Sequence, residues 1–400
     1  MPRSTRNSPP PAPATDRAPV GRLIGVDLAR GLVVFGMFAA HVGPDPAQGG
    51  TTGHLMELAH GRASALFAFL AGFSIMLITG RRTPKTGRAG RQAVAKVVIR
   101  ALVLLVLGTA LTMTGTPVEV ILAFYGLYFL LVLPLYRLTA GPLAVIAAAS
   151  ALVLPQILYV VQHALPAEGA DGIWARPKDA DGVVSLLFTG SYPALTWVPF
   201  VVAGMAVARL DLTAAVVRIR LAITGGCLAV LGYGGSWPAL HLVPGALTKL
   251  SAGGWGEWGG GGSAASAWWS DTWGHPDGST PVGLLVASPH SETTLSILAN
   301  AGVAIAVLAG CLAAVDAFPR FHRAVRPVIA VGSMSLTAYV LHIVGIRFLG
   351  TEELPGPALH VLIGFIVAVT VFATLWSRYF RRGPLEWLLG KVTEPAGLVR

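Results

Sequence analysis

Residues 26–43 read VDLARGLVVFGMFAAHVG, apolar enough to lie in lipid yet carrying Asp27, Arg30 and His41. A helix of about 20 apolar residues crosses the hydrocarbon core of a bilayer. An ionisable side chain at its centre costs about 3 kcal/mol or more, and one that persists usually faces a bundle interior or an aqueous cavity. The stretch therefore predicts one helix of a membrane bundle, not a lone anchor.

Composition points the same way. Hydrophobic residues make up 54% of the 400-residue chain and charged residues 12%, where soluble domains carry about 25% charged residues. Ten apolar segments can be read, at 22–44, 63–80, 98–115, 119–136, 142–163, 191–209, 219–237, 293–316, 327–349 and 357–378. The expected fold class is all-α, a polytopic transmembrane helical bundle of about ten spans. The seventh segment, broken by TGG and GYGGSW, is the least regular.

The net charge of +10 does not mark a nucleic-acid binder. Basic residues sit between apolar segments, where lysine and arginine set topology. With the N-terminus inside, Arg81, Arg82, Lys85, Arg88, Arg91, Lys96, Arg100, Arg137, Arg209, Arg218, Arg220, Arg320, Arg323 and Arg326 all fall on the inner side. Only Arg62, Arg176, Lys178, Lys249 and Arg347 fall outside. Both termini are therefore expected to be cytoplasmic, in a multi-pass protein of the cell membrane.

Three regions follow. Residues 1–21 form a disordered cytoplasmic tail rich in proline and serine, without the apolar core of a cleaved signal. Residues 22–380 form the membrane domain, with long outer loops at 164–190 and 238–292. Residues 381–400 form a cytoplasmic amphipathic tail, in which Glu386 is expected to pair with Arg382 one turn earlier. The second outer loop is dense in glycine and tryptophan. It reads as a flexible interfacial segment or as a lid on which sugar rings stack. Cys227 and Cys311 lie in apolar runs and read as buried thiols. No histidine or carboxylate pair has metal-ligand spacing on one helix, and GGGGS lacks the Lys-Ser/Thr of a phosphate loop.

Within the first segment Arg30 and His41 are eleven residues apart. That spacing puts them on nearly one face, roughly 16 Å apart along the axis. Asp27, one turn before Arg30, can pair with it. A charged pair thus stands near the inner end and a titratable base near the outer end. The bland alternative is that Asp27 and Arg30 snorkel to the interface while His41 ends the helix. His60, Arg62, Tyr192, Trp197, His290, Ser291, Thr293 and Thr294 open other segments on the outer side, either lining an acceptor pocket or serving as anchors and caps. His342 lies mid-segment, where it bonds across helices or lines a central cavity.

The pattern RLIGVDLARG at 22–31, followed by His41 ten residues after Arg30, resembles the transmembrane acyltransferase superfamily. That group includes the heparan-alpha-glucosaminide N-acetyltransferase and bacterial membrane enzymes that acylate envelope glycans. HGRASALFAFLAGFSIML at 60–77 is similar to its next signature. GSYPALTWVPFVVAGMAVARLDL at 190–212, SPHSETTLSILANAGVAIAV at 288–307, GSMSLTAYVLHIVGI at 332–346 and RRGPLEWLLG at 381–390 resemble bacterial relatives long labelled a domain of unknown function.

The resemblance implies a cytoplasmic acyl-CoA donor, most simply acetyl-CoA, and no metal. The acceptor would be an amine or hydroxyl of an extracytoplasmic sugar, glycolipid or exported metabolite. Relatives also allow a homodimer in membrane lipid. Arg30, oriented by Asp27, would hold the donor, since its planar fork suits phosphate or a thioester carbonyl. His41 or His60 would act as base, directly or as a transient acyl carrier. The rival reading is a transporter or flippase of a small polar or lipid-linked solute, which also needs ionisable residues inside a bundle.

Overall fold

The computed structural model describes residues 23–164, 182, 184–252, 264–270, 280–351 and 358–399. The tail at 1–21, Arg176, Lys178 and much of the two long loops, including Trp255, Trp258 and Trp273, lie outside the described residues.

All regular structure among the described residues is helical. In chain order the α-helices are α1 (Ile24–Val42), α2 (Gly50–Ala59), α3 (Arg62–Thr79), α4 (Gly87–Thr112), α5 (Leu122–Val132), α6 (Ala140–Ala164), α7 (Ala194–Ala208) and α8 (Ala215–Leu242). They continue with α9 (Ala246–Ala252), α10 (Thr294–Ala317), α11 (Pro319–Ala324), α12 (Arg326–Ser333), α13 (Ser335–Leu349), α14 (Leu359–Tyr379) and α15 (Pro384–Val392).

Each of the ten apolar segments falls on helix. Seven helical stretches are long and apolar enough to cross a membrane, with α2 and α3 counted together. The α12–α13 pair would make an eighth, although it is bent by 85°. The stretches Leu122–Arg137 and Ala194–Ala208 are apolar but shorter. Two departures concern extent. Helix α4 begins at Gly87, so the basic run Arg88 to Arg100 is helical and not a loop. The irregular seventh segment is a continuous 28-residue helix, and two of its glycines, Gly225 and Gly232, pack so closely on α10 that a Cβ there would strike its backbone.

Successive long helices alternate in direction, so the charged side chains sort to the two ends. At one end Arg209 donates to the carbonyls of Gly80, Arg81, Tyr136 and Leu138. There Arg81 donates to the carbonyls of Ala208 and Leu210, and Arg218 pairs with Asp316. This basic end also carries α11 and α15. The opposite end carries α2, α9, the turn before α7 and the segment before α10.

Glycine sets the closest packing. A Cβ at Gly204 of α7 would strike the carbonyl of Phe69, and one at Gly72 of α3 would strike that of Val201. Likewise Gly332 of α12 lies against the carbonyl of Asp27. These contacts hold α1, the helix richest in expected site residues, and α3 inside the bundle. The outer faces of α4, α6, α8 and α14 keep large apolar side chains exposed, including Val106, Val145, Val230 and Val367. Such a surface suits lipid, not water. Cys311 is buried, whereas Cys227 is on the exposed face of α8, contrary to its reading as a buried thiol.

Candidate active site

The first helix is polar at both ends and apolar between them. Near the basic end Arg30 Nη1 pairs with Asp27 Oδ1 at 3.4 Å, and Arg30 Nη2 donates to Ser74 Oγ of α3 at 2.7 Å. The Ser74 hydroxyl in turn donates to the Leu70 carbonyl. Asp27 is 7% exposed. Arg30 is thus held inside the bundle between two helices, and does not snorkel away from it. Arg100 of α4 and Arg382, just before α15, lie within electrostatic range of one another, and Arg30 lies within range of Arg100.

Glu386 does not serve Arg382 as expected. Its carboxylate accepts the Leu336 and Thr337 amides at 2.8 and 3.1 Å and the Thr337 hydroxyl at 2.6 Å. It therefore caps α13 at the 85° break, where free amide groups need an acceptor.

At the opposite end His41 Nδ1 and His342 Nε2 lie 2.9 Å apart, with their rings stacked at 5.2 Å between centroids. His342 is 2% exposed, packed against Phe38 and Tyr339. Its Nδ1 is buried beside the backbone of Ala338 and Tyr339, one turn earlier in α13. The two imidazoles come from helices 301 positions apart in sequence. His60 is near enough for its charge to act on His41.

A second cluster stands beside the first. His290 lies 6.2 Å from His60, 5.5 Å from Tyr192 and 5.9 Å from Trp197, between ring centroids. Sequence reasoning missed Glu292, which joins this cluster. Its Oε1 accepts from Trp197 Nε1 at 2.9 Å, and its Oε2 from the Thr196 hydroxyl. The residue is only partly buried, but its carboxyl is enclosed by protein. Burial pushes that carboxyl up to about 8, against the lowering by the Thr196 and Trp197 hydrogen bonds. His290 and Glu292 both have φ of 57°, a left-handed conformation that costs a non-glycine residue of order 1–3 kcal/mol.

Polar contacts keep that strained segment in place. Ser291 and Ser296 hydroxyls donate to the Ser288 carbonyl, and Thr293 caps α10 by accepting from Ser296 N. Asn300 donates to Ser296 and accepts from the Tyr233 hydroxyl. Arg62 Nε closes the chain on Tyr233 at 2.9 Å. Arg62 also donates to the carbonyls of Glu57 and Trp269. Its guanidinium is spent on tying α3, α2 and the described part of the 238–292 loop together. Ser291 is likewise used internally. That part of the loop has its own small apolar cluster of Leu240, Leu250, Ala267 and Val286.

Residues 22–235, more than half of the chain, match the family model "Heparan-alpha-glucosaminide N-acetyltransferase, catalytic". The chain belongs to the heparan-alpha-glucosaminide N-acetyltransferase catalytic family. Residues 284–395 match a second model, described as a protein of unknown function, DUF418. No curated protein matches the chain. The two matched regions meet in the site. Asp27, Arg30, His41, His60, Tyr192 and Trp197 come from the acetyltransferase-family region, whereas His290, Glu292 and His342 come from the other. The bond between His41 and His342 joins them. Membership in this family, on a helical membrane scaffold, is consistent with acetyl-group transfer.

Proposed function

We propose that the protein is a membrane acyltransferase that takes an acyl group, most simply acetyl, from acyl-CoA at its basic end. The group passes to an amine or hydroxyl of an extracytoplasmic acceptor near His41. The observation that carries this reading is the imidazole pair of His41 and His342, eleven residues along α1 from the arginine held by Asp27 and Ser74.

The one-sided distribution of lysine and arginine supports a cytoplasmic basic end, hence ten crossings with both termini inside. Arg30, Arg100 and Arg382 offer cations to the phosphates of the donor. The thioester, at the tip of a flexible pantetheine arm, reaches deeper into the bundle.

For His41 to take a proton at Nε2, its Nδ1 must hold the other proton and donate it to His342 Nε2. His342 is then protonated on Nδ1. The acceptor N–H or O–H loses its proton to His41 as the new bond to the acyl carbon forms. The carbon–sulfur bond breaks, and the thiolate leaves with that proton as free CoA. His342 fixes the tautomer and stabilises the imidazolium. The same nitrogen could attack first and carry the acyl group, with the acceptor attacking second. His60, His290 and Glu292 stand beside this path and would bind or protonate acceptor groups.

The test is reconstitution in proteoliposomes with labelled acetyl-CoA on one side. An acylated product and free CoA are expected, with His41→Ala reducing both by about 10²–10⁴-fold. Movement of an unmodified solute without CoA release would overturn the reading in favour of transport. The 85° break between α12 and α13 favours transport, since broken helices form transporter sites. Mass spectrometry of envelope fractions with and without the gene identifies the acceptor by its lost acyl group.

A further inference from the structure

Between α13 and α14 lies a cavity of about 330 Å³, walled by Phe38, Ala338, Leu341, Gly345, Phe365 and Phe372, with His342 as the polar side chain among its lining residues. It follows α13 from Ala338 to Leu349, roughly 16 Å of helix rise. Small residues line it on both helices, Ala338 and Gly345 on α13 and Gly364 and Ala368 on α14; the Phe365 ring packs against Gly345, and the space beside Gly364 is open. Its rim continues into exposed apolar side chains of the same helices, including Phe348, Ile363 and Val367.

We propose that this cavity holds the hydrocarbon tail of a lipid-borne acceptor, entering sideways from the bilayer with its polar end at the His41–His342 pair. The proposal rests on the acyltransferase reading in calling the lipid an acceptor and in assigning the donor to Arg30. Water suits the space poorly, because a buried water needs 2–4 polar partners and the wall supplies one imidazole. The surroundings supply aliphatic chains, since the rim lies on helices whose outer faces are apolar along their length. The donor has its own approach at Arg30, near the other end of α1. Finally, His342 lines the cavity and its Nε2 is bonded to the proposed base. A chain seated here brings its head group to His41 and not to the basic end.

The probe is a phosphatidylethanolamine bearing a diazirine midway along one acyl chain, incorporated with the full-length protein in nanodiscs. Irradiation and peptide mapping are expected to place adducts on α13 and α14, saturable by unlabelled phosphatidylethanolamine. Gly364→Leu fills the cavity mouth without strain, because nothing lies within 4 Å of its Cβ position. It is expected to cut labelling about tenfold, equivalent to ~1.4 kcal/mol. Gly226→Leu on the exposed face of α8 has equal room and is expected to leave labelling unchanged.

Adducts spread evenly over α4, α6, α8 and α14, or full labelling in Gly364→Leu, would overturn the proposal. Because the readout is binding, it is separate from turnover. A protein that labels as expected yet releases no CoA overturns the acyltransferase reading alone. One that releases CoA with evenly spread labelling overturns the lipid site alone.

Discussion

His41 and His342, one from each of the two family-matched regions, share a hydrogen bond of 2.9 Å at the end of α1 opposite the Asp27–Arg30 pair. A base held in one tautomer by a second imidazole works only while that partner accepts its Nδ1 proton. His342→Phe is therefore expected to lower the rate of acyl transfer by about 10²-fold or more with little change in the KM for donor. His342→Asn, whose side-chain oxygen can accept the same proton, is expected to recover part of that loss. Steady-state kinetics in proteoliposomes separate the two.

Arg30 meets Asp27 and Ser74 through different nitrogens of one planar group. Lysine carries the charge but not the fork. Arg30→Lys should fold, yet raise the KM for acyl-CoA, because its single ammonium cannot satisfy Asp27, Ser74 and a phosphate in the same geometry. Ser74→Ala should have a smaller effect of the same sign, since it loosens Arg30 without removing it. Binding of CoA itself, measured by calorimetry, provides the check.

Packing makes a separate forecast. Gly204 and Gly72 let α7 and α3 approach until carbonyl oxygens occupy the space of a side chain. Gly204→Val must push the helices apart or break that contact, at a cost of about 1–3 kcal/mol or more. A lower Tm in detergent and reduced yield are expected, whereas Gly310→Ala, with open space at its Cβ position, should be neutral or slightly stabilising.

Arg62 opens a span at the outer level, where sequence allows either an acceptor contact or an anchor. Its donors go to Tyr233 and to the carbonyls of Glu57 and Trp269, which is the anchoring role. The helical class, the placement of the apolar segments and the shared face of Arg30 and His41 were legible because composition and a 3.6-residue period encode them locally. The pairing of His41 with His342 was not, since nothing local links positions 301 apart. Glu292 was hidden for another reason. Ser-Glu-Thr before an apolar run is an ordinary helix start, and only Thr293 acts as the cap. Its signal was the carboxylate two residues after His290 in SPHSETT, which becomes informative once both take a left-handed backbone. Arg62→Met is expected to lower the Tm as well as activity, whereas a residue that only bound substrate would affect activity alone.

Glu292 gives the protein a pH dependence of definite sign. Its carboxyl is pushed up to about 8 by burial, while in the unfolded chain a glutamate titrates near about 4.3. Between those values the folded state holds a proton that the unfolded state has lost. Stability contributed by this group is complete below about pH 4, declines as pH rises towards 8, and is gone above it. Tm measured in detergent should therefore fall across that window and level off beyond it. Glu292→Gln, neutral at every pH, should flatten the decline while keeping an oxygen for Trp197 Nε1 and Thr196. If the neutral acid also protonates acceptor groups, activity will fall on the alkaline side with a midpoint near pH 8 in the native protein. That limb will be absent, on a lower plateau, in Glu292→Gln. A decline in Tm that persists unchanged in Glu292→Gln would assign the pH dependence to another group.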